Sequence, residues 1–207
     1  MHQTRQQTIT EIPIKRKGTK YVARALSHSS FSVPVVIAIR DMLKLARNAK
    51  EVKEIIKRGL IKINGKKVCD LREPIKLFNI LELDKTYRLS ILPTRKFYFE
   101  EYDASKGRLC KVINKQIVKG GKKVFGLHDG SNIISNEEIN INDSVYLDLN
   151  GKMLKHVMME ENKNVFVIGG KYLGLSVMIE KIKDKRAKIK LNNGDEAEIE
   201  ISRIVVL

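Results

Sequence analysis

From Asn64 onward the chain is cut at short intervals by Asn64-Gly65, Gly120-Gly121, Asp129-Gly130, Asn150-Gly151 and Asn192-Asn193-Gly194-Asp195, residues that favour left-handed or flexible backbone. The apolar runs between them have the length of short strands. Asn64-Gly65 is the strongest of these signals, because a type I′ hairpin turn needs positive φ at both central positions. It joins Leu60-Ile61-Lys62-Ile63 to Lys66-Lys67-Val68, and in that register Lys62 faces Lys67. Like charges directly opposite one another are unfavourable in water, so this hairpin suits an anion lying across its face.

Past Val68 the expected strands are Ile80–Leu83, Tyr87–Leu92, Leu109–Asn114, Lys115–Lys119, Lys122–Leu127 and Ser144–Leu149, a small all-β unit entered at Pro93-Thr94. A further unit begins near Glu160, with strands at Val165–Ile168, Leu175–Ile182, Ala187–Leu191, Ala197–Ile201 and Ile204–Leu207. Ala187–Leu191 alternates strictly between apolar and basic, and five such strands suggest a small SH3-like barrel.

Upstream the period changes to that of helices. Pro34 suits a first turn, after which Val36, Ile39, Leu43 and Ala46 share one face and Arg40, Lys44 and Arg47 another. Asn48 caps a second helix running to Gly59, with Glu51 placed to return a bond to the Asn48 backbone. At 100° per residue, Val52, Ile55 and Ile56 face a core, Lys50, Lys53 and Lys57 form one flank, and Glu51, Glu54 and Arg58 form the other. The lysine flank thus lacks acidic partners. Before these helices, Met1 to Ser32 is polar and basic, with Lys15-Arg16-Lys17-Gly18-Thr19-Lys20 and the Ser27-His28-Ser29-Ser30 cluster, and reads as a basic arm that orders on a polyanion.

Lys and Arg number 40 against 24 Asp and Glu in 207 residues, a formal charge of +16. Residues 1–100 hold 22 basic and 9 acidic side chains, whereas residues 101–207 hold 18 and 15. The polyanion-binding footprint is therefore mainly N-terminal. The apolar stretch Val33–Ile39 is far shorter than the about 20 residues that span a bilayer. Met1–Thr10 is polar and lacks the apolar core of a secretory signal, so a cytosolic address is expected. Cys69 and Cys110 stand apart, without Cys or His at metal-ligand spacing, and read as small apolar residues in a reducing compartment.

Reactive constellations are missing from the pattern. Gly120-Gly121-Lys122 and Gly169-Gly170-Lys171 are fragments of a phosphate loop without its other glycine or its Ser or Thr. His128-Asp129 and Ser131 are adjacent triad types, but a turn explains them, and His2, His28 and His156 are isolated. No catalytic residue, metal ligand or cofactor is expected. Nucleic acid is the better partner, since basic side chains occur where folding does not require them. The hairpin directly after residues 35–58 argues against a DNA-reading helix-turn-helix and for RNA. Phe97, Tyr98, Phe99 and Tyr102 fit a core better than a base-stacking platform.

Leu45 to Lys53 and Ile55 to Gly65 resemble the S-four RNA-binding fold of ribosomal proteins and RNA-modifying enzymes, and Val165 to Gly174 resembles a KOW motif. In this order, with Leu109–Lys115, Val118–Lys122, Arg16–Tyr21 and Leu127–Asn132, they are similar to the archaeal and eukaryotic small-subunit ribosomal protein family of S-four e-type, over roughly residues 12 to 207. The resemblance implies an α+β chain: a basic N-terminal arm (1–32), a helix-helix-hairpin RNA-binding domain (33–93), a central all-β domain (94–159) and a C-terminal SH3-like KOW barrel (160–207). It also implies a non-enzymatic constituent of the small ribosomal subunit in the cytoplasm, with 16S-type ribosomal RNA and neighbouring ribosomal proteins as partners and no membrane. An RNA-modifying enzyme with an S-four unit and a KOW-bearing transcription elongation factor are the rivals. The expected RNA-binding residues are Arg47, Lys50, Lys53 and Lys57 on the helical side, Lys62, Asn64, Lys66 and Lys67 on the hairpin, and Lys15, Arg16, Lys17 and Lys20 on the arm. Lysine-rich surfaces position a phosphate backbone and discriminate little between bases.

Overall fold

The computed structural model describes residues 2–27, 31–118, 120–191 and 194–207, in two compact units, Met1–Ala104 and Ser105–Leu207. His28, Ser29 and Ser30 of the serine cluster, Lys119, and the Asn192-Asn193 part of the last turn lie outside the described residues.

In the first unit, β1 (His2–Thr4) pairs antiparallel with β2 (Tyr21–Ala23), and the loop between them closes on one guanidinium. Arg5 Nε donates to the Thr19 carbonyl at 2.9 Å, Nη2 donates to Thr19 Oγ1 at 3.1 Å, and Nη1 donates to the Lys15 carbonyl. The Phe97 N–H donates to the Glu11 carbonyl at 2.8 Å and the Leu26 N–H to the Arg72 carbonyl at 3.0 Å, while Ile12, Val22 and Ala25 are buried. The expected arm is therefore corrected to a loop folded onto its own unit. Most of these bonds end on main-chain carbonyls, which any residue supplies, so composition gave no sign of them.

The chain continues through β3 (Ser32–Pro34), a one-turn α1 (Val35–Ile37) that widens into a π-helix over Ala38–Met42, and α2 (Ala49–Lys57). The expected one-sided first helix is corrected here. Val35 to Ile39 are all buried, so this segment is enclosed by its unit rather than laid on it by one face. Its i+5 geometry is carried by the Leu43 N–H donating to the Ala38 carbonyl at 2.8 Å, and it ends where Lys44 turns to φ 57°. In α2, Val52 and Ile56 are buried, and Asn48 Oδ1 accepts the Glu51 N–H at 3.0 Å as an N-cap. The return bond differs from the expected one: the Glu51 carboxylate accepts the Arg47 N–H at 2.7 Å and Asn48 Nδ2 at 2.9 Å. Gly59, at φ 70°, follows the C-cap.

Five further strands complete an antiparallel sheet and its neighbour: β4 (Lys62–Ile63), β5 (Lys66–Lys67), β6 (Pro74–Lys76), β7 (Ile80–Glu82), β8 (Thr86–Ile91), to which β9 (Phe97–Glu101) is added last. β3 pairs with β6, and the others run in the order β5-β4-β7-β8-β9. Asn64 and Gly65 have φ of 51° and 79°, the positive pair a type I′ turn demands. Because β9 pairs with β8 and buries Phe97, the first unit runs past the Pro93-Thr94 entrance to Ala104.

The second unit is all strand apart from short 3-10 turns. β10 (Arg108–Ile117), β11 (Lys123–Leu127), β12 (Asn132–Ser135), β13 (Ser144–Leu147) and β14 (Met153–Val157) form an antiparallel sheet in the order β12-β11-β10-β13-β14. The segments expected as two strands, Leu109–Asn114 and Lys115–Lys119, are one strand with a register shift between Val112 and Asn114. At the shift Asn114 Oδ1 accepts the Gly126 N–H at 3.0 Å, and a Cβ at position 126 would push the Asn114 amide out of this bond. β15 (Asn164–Val167), β16 (Ser176–Lys183), β17 (Arg186–Lys190), β18 (Glu196–Glu200) and β19 (Ile204–Val206) form a second antiparallel sheet in the order β18-β17-β16-β15-β19. Ala187 and Ile189 point into its core with Val165, Val167, Ile179 and Val206, while Lys188 and Lys190 point out.

Two register partners on the first sheet of this unit, Lys111 and Ser144, stitch it to the second. Ser144 Oγ accepts the Val206 N–H at 3.0 Å, and Lys111 Nζ donates to the carbonyls of Ile201 at 2.6 Å and Ile204 at 2.8 Å. Lys111 is 3% exposed and has no carboxylate in ion-pair range among the described residues, so its burial lowers the ammonium pKa to about 8. The unfolded chain holds that proton up to about pH 10.4, so the folded state loses it first and gains stability as pH rises between the two values. Urea unfolding should therefore show the parent chain gaining stability relative to Lys111→Met as pH climbs from about 8 to about 10.4. A difference that stays constant over this window contradicts a buried charge at Lys111.

Candidate nucleic-acid interface

Every residue singled out for phosphate contact lies in the first unit. On α2, Lys50 and Lys53 are exposed, and neither has a carboxylate within 4.0 Å among the described residues. Lys57 differs from expectation: its Nζ pairs with Glu54 Oε1 at 2.8 Å, and that bond holds the Glu54 carboxyl below the usual range. Residues three apart on a helix are separated by only about 60° of rotation, so long side chains bridge sectors that a helical wheel keeps distinct. An exposed pair of this kind contributes little to stability and leaves Lys57 able to exchange partners.

On the hairpin, Lys62 stands opposite Lys67 on one side and opposite Glu82 on the other. Glu82 Oε1 accepts the Gly65 N–H at 2.7 Å, so this carboxylate serves the turn and only partly offsets the lysine pair. Lys66 and Lys67 are exposed. The Lys67 ammonium lies 3.7 Å from where a Cβ of Gly59 would stand, beside the carbonyl end of α2, where a cation is favoured. Hairpin and helix cations thus meet at the C-terminal end of α2. Asn64 is half-buried and committed to the fold: its N–H donates to the Ile80 carbonyl at 2.8 Å and its Oδ1 accepts the Ile80 N–H at 2.8 Å.

The leader approaches the other end. Lys15, Arg16, Lys17 and Lys20 are all exposed, with the Lys20 ammonium 5.5 Å from the centre of the Tyr21 ring. A groove of about 710 Å³ has Lys15 and Lys17 on its leader side and Lys44 and Ala49 beside the start of α2. Its carboxylate, Asp41, is engaged by Arg40 Nε at 3.0 Å and Nη2 at 2.7 Å. Arg47 is exposed next to this groove in sequence, and its N–H is taken by Glu51. Sequence reasoning missed Arg5 and Lys96, which act on main-chain carbonyls and leave no side-chain pattern to find.

Cations of the second sheet in the other unit meet a different fate. In the β17–β18 register Arg186, Lys188 and Lys190 stand opposite Glu200, Glu198 and Glu196. Arg186 Nη1 lies 3.4 Å from Glu198 Oε2, and Lys188 pairs with Glu196. Opposite charges across strands are mutually stabilising, so β18 offsets these cations from one side, while on the other side Arg186 and Lys188 stand opposite Lys183 and Lys181 of β16.

The residue types that suggested catalysis are structural. His128 Nδ1 accepts the Lys111 N–H at 3.1 Å, Asp129 pairs with buried Arg108, and Asp129 Oδ1 accepts the Ser131 N–H at 2.9 Å and its hydroxyl at 2.6 Å. Burial pushes the Asp129 carboxyl up, but the Arg108 charge and the Ser131 bonds outweigh it and hold it below its usual range. Cys110 is buried and its thiol pushed up by burial, whereas Cys69, read alongside it as a small apolar residue, is exposed. Among the described residues no group of His, Cys, Asp and Glu gathers as a metal site, and no helix is long and apolar enough to cross a membrane.

The fold, β-rich with few helices, is that of the crystal structure of the 30S ribosomal protein S4e from Thermoplasma acidophilum, with a TM-score of 0.72, 22% identity, and coverage of 86% of this chain and 95% of that one. The family described as "Ribosomal family S4e" matches residues 83–153. The small ribosomal subunit protein eS4 of Methanocella arvoryzae is 31% identical over 182 residues, covering 84% of this chain and 78% of its own length. That of Archaeoglobus fulgidus is 30% identical over 180 residues, covering 84% and 77%. The chain belongs to the ribosomal S4e family.

Proposed function

We propose that this chain is a structural, non-enzymatic constituent of the small ribosomal subunit in the cytoplasm, holding folded 16S-type ribosomal RNA beside neighbouring ribosomal proteins. The observation that carries the reading is the crowding of exposed cations on α2, hairpin and leader of the first unit, where Lys50 and Lys53 have no carboxylate in range among the described residues and Lys62 faces Lys67, and where basic side chains outnumber acidic ones by 22 to 9 over residues 1–100. Membership of a family whose relatives are named small ribosomal subunit proteins supports it. Phosphates are met by Arg47, Lys50, Lys53 and Lys57 along α2, by Lys62, Lys66 and Lys67 with Asn64 on the hairpin, and by Lys15, Arg16, Lys17 and Lys20 on the leader. We read residues 33–93 as an S-four-type RNA-binding unit and the five strands of residues 160–207 as a KOW barrel. The antiparallel order β18-β17-β16-β15-β19 and the Gly169-Gly170 turn after β15 support the second assignment.

Sedimentation of tagged protein from lysate should place it with free small subunits and whole ribosomes. A chain that travels with polymerase, or only in a slow pool, contradicts the assignment. At the surface, Lys50→Ala with Lys53→Ala should weaken binding to small-subunit RNA and reduce the slope of log affinity against log salt by about two, since each phosphate contact releases about one counterion. Alanine favours the helix, so circular dichroism should be unchanged. A variant with the parental slope shows that this flank does not face the RNA.

A further inference from the structure

The leader loop does more than present lysines. It encloses an open cup of about 750 Å³, within the range that small-molecule and nucleotide sites occupy. Lys15, Arg16, Lys17 and Lys20 contribute to its lining, Ile9, Ile12 and Ile14 supply apolar surface, and among the described residues no Asp or Glu lines it. Two further cations in the lining, Arg5 and Lys96, are tied to main-chain carbonyls, Arg5 to those of Lys15 and Thr19 and Lys96 to that of Thr10. They frame the loop, and the other four are exposed around it.

Folding has here drawn like charges around a concavity and provided no carboxylate to relieve them. In a concave site with low-dielectric walls such a potential is focused, and it is relieved by a compact anion entering the space. A duplex lays its phosphates along an outer surface and cannot place its stacked bases in a cup. A single unpaired nucleotide offers what the lining matches: a phosphate for the lysine and arginine rim and a flat, largely apolar ring for the isoleucine surface.

We propose that the cup closed by Arg5 receives one unpaired nucleotide, its phosphate held among Lys15, Arg16, Lys17 and Lys20 and its base against Ile9 and Ile14. The site rests on the RNA-binding reading above and refines it, with an extruded nucleotide of the RNA as the occupant.

Isothermal titration of the full chain at low salt with adenosine 5′-monophosphate, adenosine and inorganic phosphate tests it. The monophosphate should bind at least about tenfold more tightly than either fragment, since both halves of the lining are then used. Ile9→Trp fills the cup while keeping every cation, and in a chain with no tryptophan its emission also reports folding. This variant should lose the monophosphate and bind small-subunit RNA more weakly, with the parental salt slope because every cation is kept. Should it not fold, the exposed pair Arg16→Gln and Lys17→Gln should lower monophosphate affinity by about tenfold. Binding of phosphate as tightly as the nucleotide, binding unaffected by these substitutions, or no nucleotide binding overturns the site. Competition by a single-stranded oligonucleotide but not by a blunt duplex supports an extruded nucleotide, and bound monophosphate that neither displaces overturns the RNA origin. Loss of small-subunit RNA binding in the parent with monophosphate binding intact overturns the wider function alone.

Discussion

Uneven pairing of charge is the constraint on which the rest of the molecule depends. An exposed lysine is solvated at little cost when isolated, but crowding many of them raises the energy of the folded state unless carboxylates or a partner screen them. The β17–β18 ladder of the second unit supplies carboxylates from the next strand, in register. On the first unit the nearby acids are already engaged: Glu51 with the cap of α2, Glu82 with the hairpin turn, Asp41 with Arg40. Glu51 and Glu82 hold backbone and Asp41 holds a guanidinium, so apart from Lys57, which pairs with Glu54, the lysines of α2 and those of the leader are left facing outward.

Geometry turns three separate basic stretches into one region. α2 is the common element, since the leader lysines line a groove beside its first residue and Lys67 of the hairpin sits by its last turn. A scaffold of this kind reads RNA through shape and phosphate spacing, because ammonium groups carry no hydrogen-bond pattern that separates one base from another. Rigidity then matters more than chemistry. The Asn48 cap, the doubly bonded Asn64 and the Arg5 closure each fix backbone that carries cations, while Lys111 and Ser144 do the corresponding work between the two sheets of the second unit.

Features decided by neighbours in sequence were legible. The type I′ hairpin at Asn64-Gly65, the limits of α2, the alternation of β17 and the approximate positions of the strands of residues 160–207 all follow from local periodicity and turn chemistry. Features decided by distant partners were not. Val35 to Ile39 are enclosed on all sides and have no polar face to set a period, which is why the start of this segment departed from the one-sided pattern. Phe97–Glu101 is placed by pairing with β8, and the leader by carbonyls that accept from Arg5 and Lys96. At the surface, the charge imbalance located the basic face, but a helical wheel could not show Lys57 reaching Glu54, nor single-strand patterns the cup.

Residue-resolved lysine acylation, compared between the free chain and intact small subunits, tests the central claim most directly. Lys15, Lys17, Lys50, Lys53, Lys188 and Lys190 are all exposed in the free chain, so each reports its own change in environment. The first four are expected to be protected by RNA in the subunit, with Lys188 and Lys190 remaining reactive. Unchanged labelling of Lys50 and Lys53 together with protection of Lys188 and Lys190 would contradict a cationic mould built on the first unit.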